Sequence, residues 1–288
     1  MTTIRSTTER VRMALANPVF TREFRVRLRG TRGAWLMLAY VGLVGGIALL
    51  VVGLGMSGVS RPTQQQMGEW SRNTLLGIFI TQCCLIVAAV PGMLGAAIGF
   101  ERQGQTLEQL AITPLKATHV VLGKLGAAMT QLGYLMLATV PVASICFLMG
   151  GVSWDALLPG LVVCACGALG AAATAVFCST LFKSPVAGIV LAYIIAFIYN
   201  LGIPFGETIL RDVLRSHLSG SSDPQSLPLI PWIALFALVE EMGMGRGYWL
   251  DSELWWLTCS ALNVAAAGGL TILAIARVRS ILRPGALP

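Results

Sequence analysis

Six apolar stretches, each long enough to cross a lipid bilayer, leave this chain little choice but a bundle of membrane-spanning helices. They are residues 34–56, 74–98, 125–149, 156–182, 185–203 and 254–276. A helix advances about 1.5 Å per residue, so roughly 20 apolar residues carry it across the hydrocarbon core. Inside that core every backbone N–H and C=O must pair internally, which favours helices over open sheets. The stretches are almost devoid of acid and base, as expected where a mid-bilayer charge costs about 2.5–3.5 kcal/mol. Only 11% of the residues are charged against 56% apolar, with a mean hydropathy of +0.76. A water-soluble domain draws on about a quarter charged residues, so lipid is the main solvent here. The expected fold is an all-α integral membrane protein.

A seventh apolar run, residues 227–239, is shorter and broken by Pro228 and Pro231. Apolar runs of about 10–14 residues are more often re-entrant or interfacial than spanning. This one is expected to dip into the membrane and return within the outer loop 204–253, between spans five and six. Tyr248, Trp249, Trp255 and Trp256 stand where an aromatic belt would anchor the sixth span.

The placement of basic residues sets the expected orientation. Of the 20 Lys and Arg, eight arginines precede the first span, and the loop 99–124, the turn holding Lys183 and the tail 277–288 carry seven more. The opposite side holds five: Arg61, Arg72, Arg211, Arg215 and Arg246. The positive-inside rule places both termini and the loop 99–124 in the cytoplasm. Anionic lipid headgroups account for an arginine cluster beside a span, so no nucleic-acid partner is expected. The first 33 residues lack the short basic stretch, brief apolar run and cleavage site of a signal peptide. The first span is expected to be an uncleaved anchor.

Residues 1–33 form a cytoplasmic segment ahead of the six-span domain 34–288. Asn17-Pro18 reads as a helix start, with Asn as N-cap and Pro at the first helical position. Beyond it Phe20, Phe24 and Leu28 share one face, and Arg22, Arg25, Arg29 and Arg32 another. An apolar stripe opposite an arginine stripe is the pattern of a helix lying in the membrane interface. Gly42 with Gly46 and Gly95 with Gly99 make G-x-x-x-G pairs, a spacing that lets helices pack closely. With 32 glycines in the chain such pairs also arise by chance.

The catalytic inventory is nearly empty. His119 and His217 have no partner at metal-ligand spacing, and no H-E-x-x-H occurs. The seven cysteines lie within apolar spans without C-x-x-C spacing and read as small apolar residues. No span carries a pair of ionisable groups of the kind a protease or proton relay would need. Glu240 and Glu241, adjacent at the end of the dipping run, read as solvated helix-end charges. Gly123-Lys124 is followed by Leu125 and led by Thr118 where a phosphate loop needs Gly, so the chain is not expected to hydrolyse ATP alone.

The loop 99–124 stands out instead. Thr106 is a plausible N-cap, Glu108 sits in the first turn where the helix dipole favours acid, and Leu107, Leu110 and Ala111 share one face. Pro114 then opens a second helix, and Lys124 is expected to snorkel to the inner interface. A hairpin turn needs only a few residues, whereas this loop is far longer and keeps an apolar stripe. Such a stripe on a cytoplasmic loop suggests a partner.

Two stretches carry a family resemblance. Glu101-Arg102, Thr106-Leu107-Glu108, Leu110, Thr113-Pro114-Leu115 and Gly123-Lys124 resemble the E-R-E-x-G-T-L-E-x-L-x-x-T-P-L-S … G-K pattern of ABC type-2 exporter permeases. Asn17-Pro18-Val19 with Arg22-Glu23-Phe24-Arg25 and Arg27 resembles the N-P-V-x-x-R-E-L-R start of the same family. Gln103, Gln105 and Lys116 depart from the pattern.

The resemblance implies a non-catalytic transmembrane subunit of an ATP-driven exporter in the bacterial inner membrane. The amphipathic helix around Phe20, Arg22, Glu23, Phe24, Arg25 and Leu28 would be its connecting helix. Glu101, Arg102, Thr106, Leu107, Glu108 and Leu110 would contact a separate ABC ATPase subunit, which would bind ATP and Mg; this chain would hold no cofactor. A second permease copy or a related permease would complete the complex. Rival readings are an ion-driven secondary transporter, which calls for repeats or mid-membrane carboxylates, and a polytopic membrane enzyme, which calls for converging ionisable residues. Neither set of features is found.

Overall fold

The computed structural model describes residues 18–28, 31–57, 62–104, 117–150, 152, 154–203, 205, 209, 235 and 252–281. The described elements are α1 (Pro18–Leu28), α2 (Thr31–Met56), α3 (Gln64–Leu94), α4 (Gly99–Gln103), α5 (Ala117–Met149), α6 (Trp154–Leu181), α7 (Pro185–Phe197) and α8 (Ser252–Ile281). A π-helical turn, Ile198–Gly202, extends α7. No strand occurs among the described residues, and six helices are long and apolar enough to span a membrane. Of the expected dipping run 227–239 only Leu235 lies within the described residues, where it is fully buried.

Burial ranks the spans. The apolar windows of α3 and α6 are 50% buried inside the bundle, against 17% for α2 and α7, so α3 and α6 form its centre. The outer faces present Leu38, Leu49, Leu54, Leu137, Leu148 and Ile272. Apolar exposure on this scale suits a lipid solvent and would drive aggregation in water.

With no hydrophobic drive between helices in lipid, their packing rests on close approach and interhelical hydrogen bonds. Gly95 and Gly99 supply the first. A Cβ on Gly95 would lie 2.9 Å from Ile189 Cα, and one on Gly99 would lie 2.9 Å from Pro185 Cα. Gly188 meets the Gly95 carbonyl from the other side. Among the described residues nothing lies within 4 Å of a Cβ built on Gly42 or Gly46, whereas the Gly95 and Gly99 pair sits at a helix contact. Hydrogen bonds supply the rest: Ser71 Oγ donates to the Cys146 carbonyl at 2.6 Å, and Tyr40 and Thr139 hydroxyls lie 3.0 Å apart.

One boundary differs from the hydropathy reading for a local reason. Residues 57–73 read as a polar loop, yet α3 begins at Gln64, well before the apolar stretch. Thr63 and Gln66 form a reciprocal capping box, each side chain bonding the other's backbone N–H at 3.3 and 3.0 Å. That satisfies two otherwise orphaned donors and lets the helix start in polar sequence.

Candidate functional site

One end of the bundle gathers α1, α4 and the beginning of α5. α1 starts at Pro18, whose missing N–H costs nothing in a first turn. Phe20 and Phe24, four residues apart, stack with ring centroids 5.7 Å apart. Phe20 fits against Gly126 of α5, where a Cβ would lie 3.3 Å from the ring. The phenylalanine face of α1 is thus used for contact with α5, against which the helix packs more extensively than against α2. Arg22 and Arg25 are exposed, and Leu28 closes the helix.

α4 follows α3 through the turn at residues 95–98. Its bare first residue, Gly99, lets the chain lie against Pro185 at the start of α7. From that position Glu101 reaches back toward α5. The Lys124 ammonium donates to Glu101 Oε1 at 2.8 Å and to Glu23 Oε1 at 3.3 Å. The lysine side chain is only 5% exposed, against 24% for Glu23 and 19% for Glu101. Lys124 therefore does not snorkel to water as its sequence position suggests. It sits inside the protein, its charge compensated by two carboxylates from two other elements.

The energetics of such a cluster are lopsided. Its formation gains little net stability, since desolvating ions offsets much of their attraction, but removing one partner strands charge in a poor dielectric. What the cluster does is fix geometry. An ammonium has three donors in a compact head, and two of them here tie α1 and α4 to α5. No group of three His, Cys, Asp or Glu that could hold a metal occurs among the described residues.

Of the residues that sequence singled out, the structure joins Glu23 and Glu101 through Lys124 and leaves Arg102 half-buried on α4. Thr106, Leu107, Glu108 and Leu110 lie outside the described residues. Lys124 is the member that sequence reasoning misplaced. A signal was available: a lysine well inside a helix that is otherwise apolar calls for a counter-charge.

In comparison with protein families, the family described as ABC-2 family transporter protein matches residues 23–200. The matched stretch runs from Glu23 to Asn200 and so contains Glu23, Glu101 and Lys124. A search of curated proteins finds no match.

Proposed function

The chain belongs to the ABC-2 transporter family, and from that premise we propose that it is the permease subunit of an ATP-driven exporter, moved by a separate nucleotide-binding subunit. A multi-pass membrane component of an ABC transporter generally works with an ATP-binding partner. The reading goes further in assigning coupling to the end of the bundle that carries the Lys124 cluster. That cluster is the observation that supports it most.

In this reading the basic end faces the cytoplasm, as the distribution of arginines suggests. The partner ATPase binds ATP and Mg and docks on the loop 99–124 through Arg102, Thr106, Leu107, Glu108 and Leu110. Phe100, exposed on α4 beside Glu101, adds an apolar contact. When the ATPase closes, α4 moves as a handle. The turn at 95–98 passes the displacement into α3, and Lys124 passes it into α5 and α1 together. A second permease copy then completes the export path, with release on the opposite face.

Glu101 belongs to the internal cluster, so reversing its charge would disturb the fold of this end as well as docking. The clean perturbation combines Arg102→Glu with Glu108→Lys, neither of which removes a cluster charge. Expected is a permease that inserts normally but no longer stimulates its ATP-binding partner subunit or co-purifies with it in detergent. Unchanged co-purification and unchanged stimulation would remove the loop from the docking surface.

A further inference from the structure

Cys83 of α3 and Cys164 of α6 meet at the centre of the bundle. Their sulfurs lie 3.8 Å apart, within hydrogen-bonding reach, and both thiols are free and buried. Cys84, Cys146, Cys166, Cys178 and Cys259 make no such thiol–thiol contact among the described residues. A small apolar role accounts for each cysteine singly. It does not require two of them to touch across a helix crossing.

Beside the pair there is space. α3, α6, α7 and α8 enclose a cavity of about 340 Å³ whose wall includes both Cys83 and Cys164. Gly167, Ala168, Ala171 and Ala192 keep it open by their small size. A groove of about 600 Å³ between α3 and α7 also reaches Cys83. Ile194, Phe197 and Leu201 in its wall are exposed on the outer surface, so the groove opens toward lipid. No Lys, Arg, His, Asp or Glu lines either space. An apolar molecule arriving from the bilayer can come up to the thiols, whereas a strongly hydrated one would lose its water without compensation.

Two uncharged sulfurs in such a setting select their ligand narrowly. Thiols suit soft elements. Structural zinc takes about four donors, and no group of three His, Cys, Asp or Glu that could hold a metal occurs among the described residues. A copper(I) ion between two thiolates would leave a net negative charge with no basic residue in the wall to offset it. A trivalent arsenic atom that already carries one organic group differs on both counts. It offers two exchangeable hydroxyls to two sulfurs, and its third bond is filled. The exchange is neutral overall: two As–O bonds break, two As–S bonds form, and each thiol proton leaves with a hydroxyl as water. Arsenic stays trivalent, so the step needs no oxidant or reductant. The bridged sulfurs need lie only slightly closer than the 3.8 Å observed, whereas a disulfide would bring them to about 2.05 Å.

We propose that Cys83 and Cys164 form a chelating dithiol site for a lipid-soluble, monosubstituted trivalent arsenical, whose organic group lies in the cavity beside them. The site belongs to a single subunit, and its occupancy does not depend on the coupling reading.

The test uses phenylarsine oxide, which hydrates to the required dihydroxide. Reduced full-length protein in nanodiscs is exposed to it, and the adduct is located by mass spectrometry of the intact chain and of its peptides. A single phenylarsenic group should replace two thiol hydrogens and bridge the peptides of Cys83 and Cys164. This map needs no variant. Attachment through two sulfurs should hold about 100-fold more tightly than through one. Dimercaprol should therefore strip the adduct, and mercaptoethanol should not at the same thiol concentration. Cys83→Ala and Cys164→Ala should each make the adduct about 100-fold easier to strip with mercaptoethanol. Cys84→Ala, beside Cys83 in sequence, and Cys166→Ala should leave its resistance unchanged. A sulfonated phenylarsine oxide, kept out of the lipid by its charge, should not label the pair. Absence of a stable adduct, an adduct on other thiols, resistance that survives Cys164→Ala, or equal labelling by the sulfonated probe would overturn the proposal.

Discussion

Replacing Lys124 with Met isolates the part of the molecule on which the coupling reading depends. Methionine keeps most of the length and apolar bulk of the lysine stem but removes the charge. Glu23 and Glu101 are then left facing each other across the site, 24% and 19% exposed, with no ammonium between them. Removing one partner of a buried ion pair costs about 3–5 kcal/mol. Residual exposure of both carboxylates lets water recover part of that, so a loss of about 2–3 kcal/mol is expected here. The loss should be local, because α1 and α4 are bound to the bundle through this end and α3 and α6 are not. Amide hydrogen exchange reads it directly: protection in α1 should fall by about 30- to 150-fold, the ratio that 2–3 kcal/mol represents. Protection in the centre of α6 should hold. The triple variant with Glu23→Gln and Glu101→Gln removes the charges of Glu23, Glu101 and Lys124 together and should recover part of the loss. Unchanged exchange in α1 and α4 for Lys124→Met would refute the reasoning, and so would a triple variant worse than the single one.

Other perturbations test the packing of the bundle. Gln82 is 1% exposed in α3, and neither amide atom has a hydrogen-bond partner among the described residues; Gln82→Leu should stabilise the protein by about 1–2 kcal/mol in a thermal or denaturant titration. Gly95→Leu should prevent α3 and α7 from seating and cause severe loss of folded yield in detergent chromatography. Gly42→Leu, placed where nothing lies within 4 Å, should leave the folded subunit intact. Ser71→Ala leaves a buried carbonyl, that of Cys146, without its hydroxyl donor and should cost about 1 kcal/mol by the same titration.

The candidate site was half legible in the sequence. Glu23 and Glu101 stood out through the family patterns around them, and the aromatic register of α1 through its spacing. What those residues contact was not legible. Phe20 and Phe24 repeat as a lipid-facing stripe would, yet Phe20 fits against Gly126 of α5. A spacing of four says that two side chains share a face; it does not say whether lipid or protein covers that face. The early start of α3 was missed for a different reason, because Thr63 and Gln66 act through backbone hydrogen bonds that hydropathy does not weigh.

Sequence by itself determined that the chain is a helical membrane protein, and it located the six helices among the described residues that are long and apolar enough to span. That follows because hydropathy is local: each stretch answers separately to the solvent around it, and lipid accepts only helices here. Tertiary structure alone decided which residues meet. Lys124 finds Glu23, 101 positions away in the chain, because α1 folds back onto α5. Gly95 with Gly99, and not Gly42 with Gly46, lies at a close crossing because of which helices are neighbours. The hydrogen bond from Tyr199 to Asn263, 64 positions further along, likewise requires the π-helical turn after α7 to lie beside α8. Contacts of this kind depend on the arrangement of the whole bundle, and no window of sequence contains that arrangement.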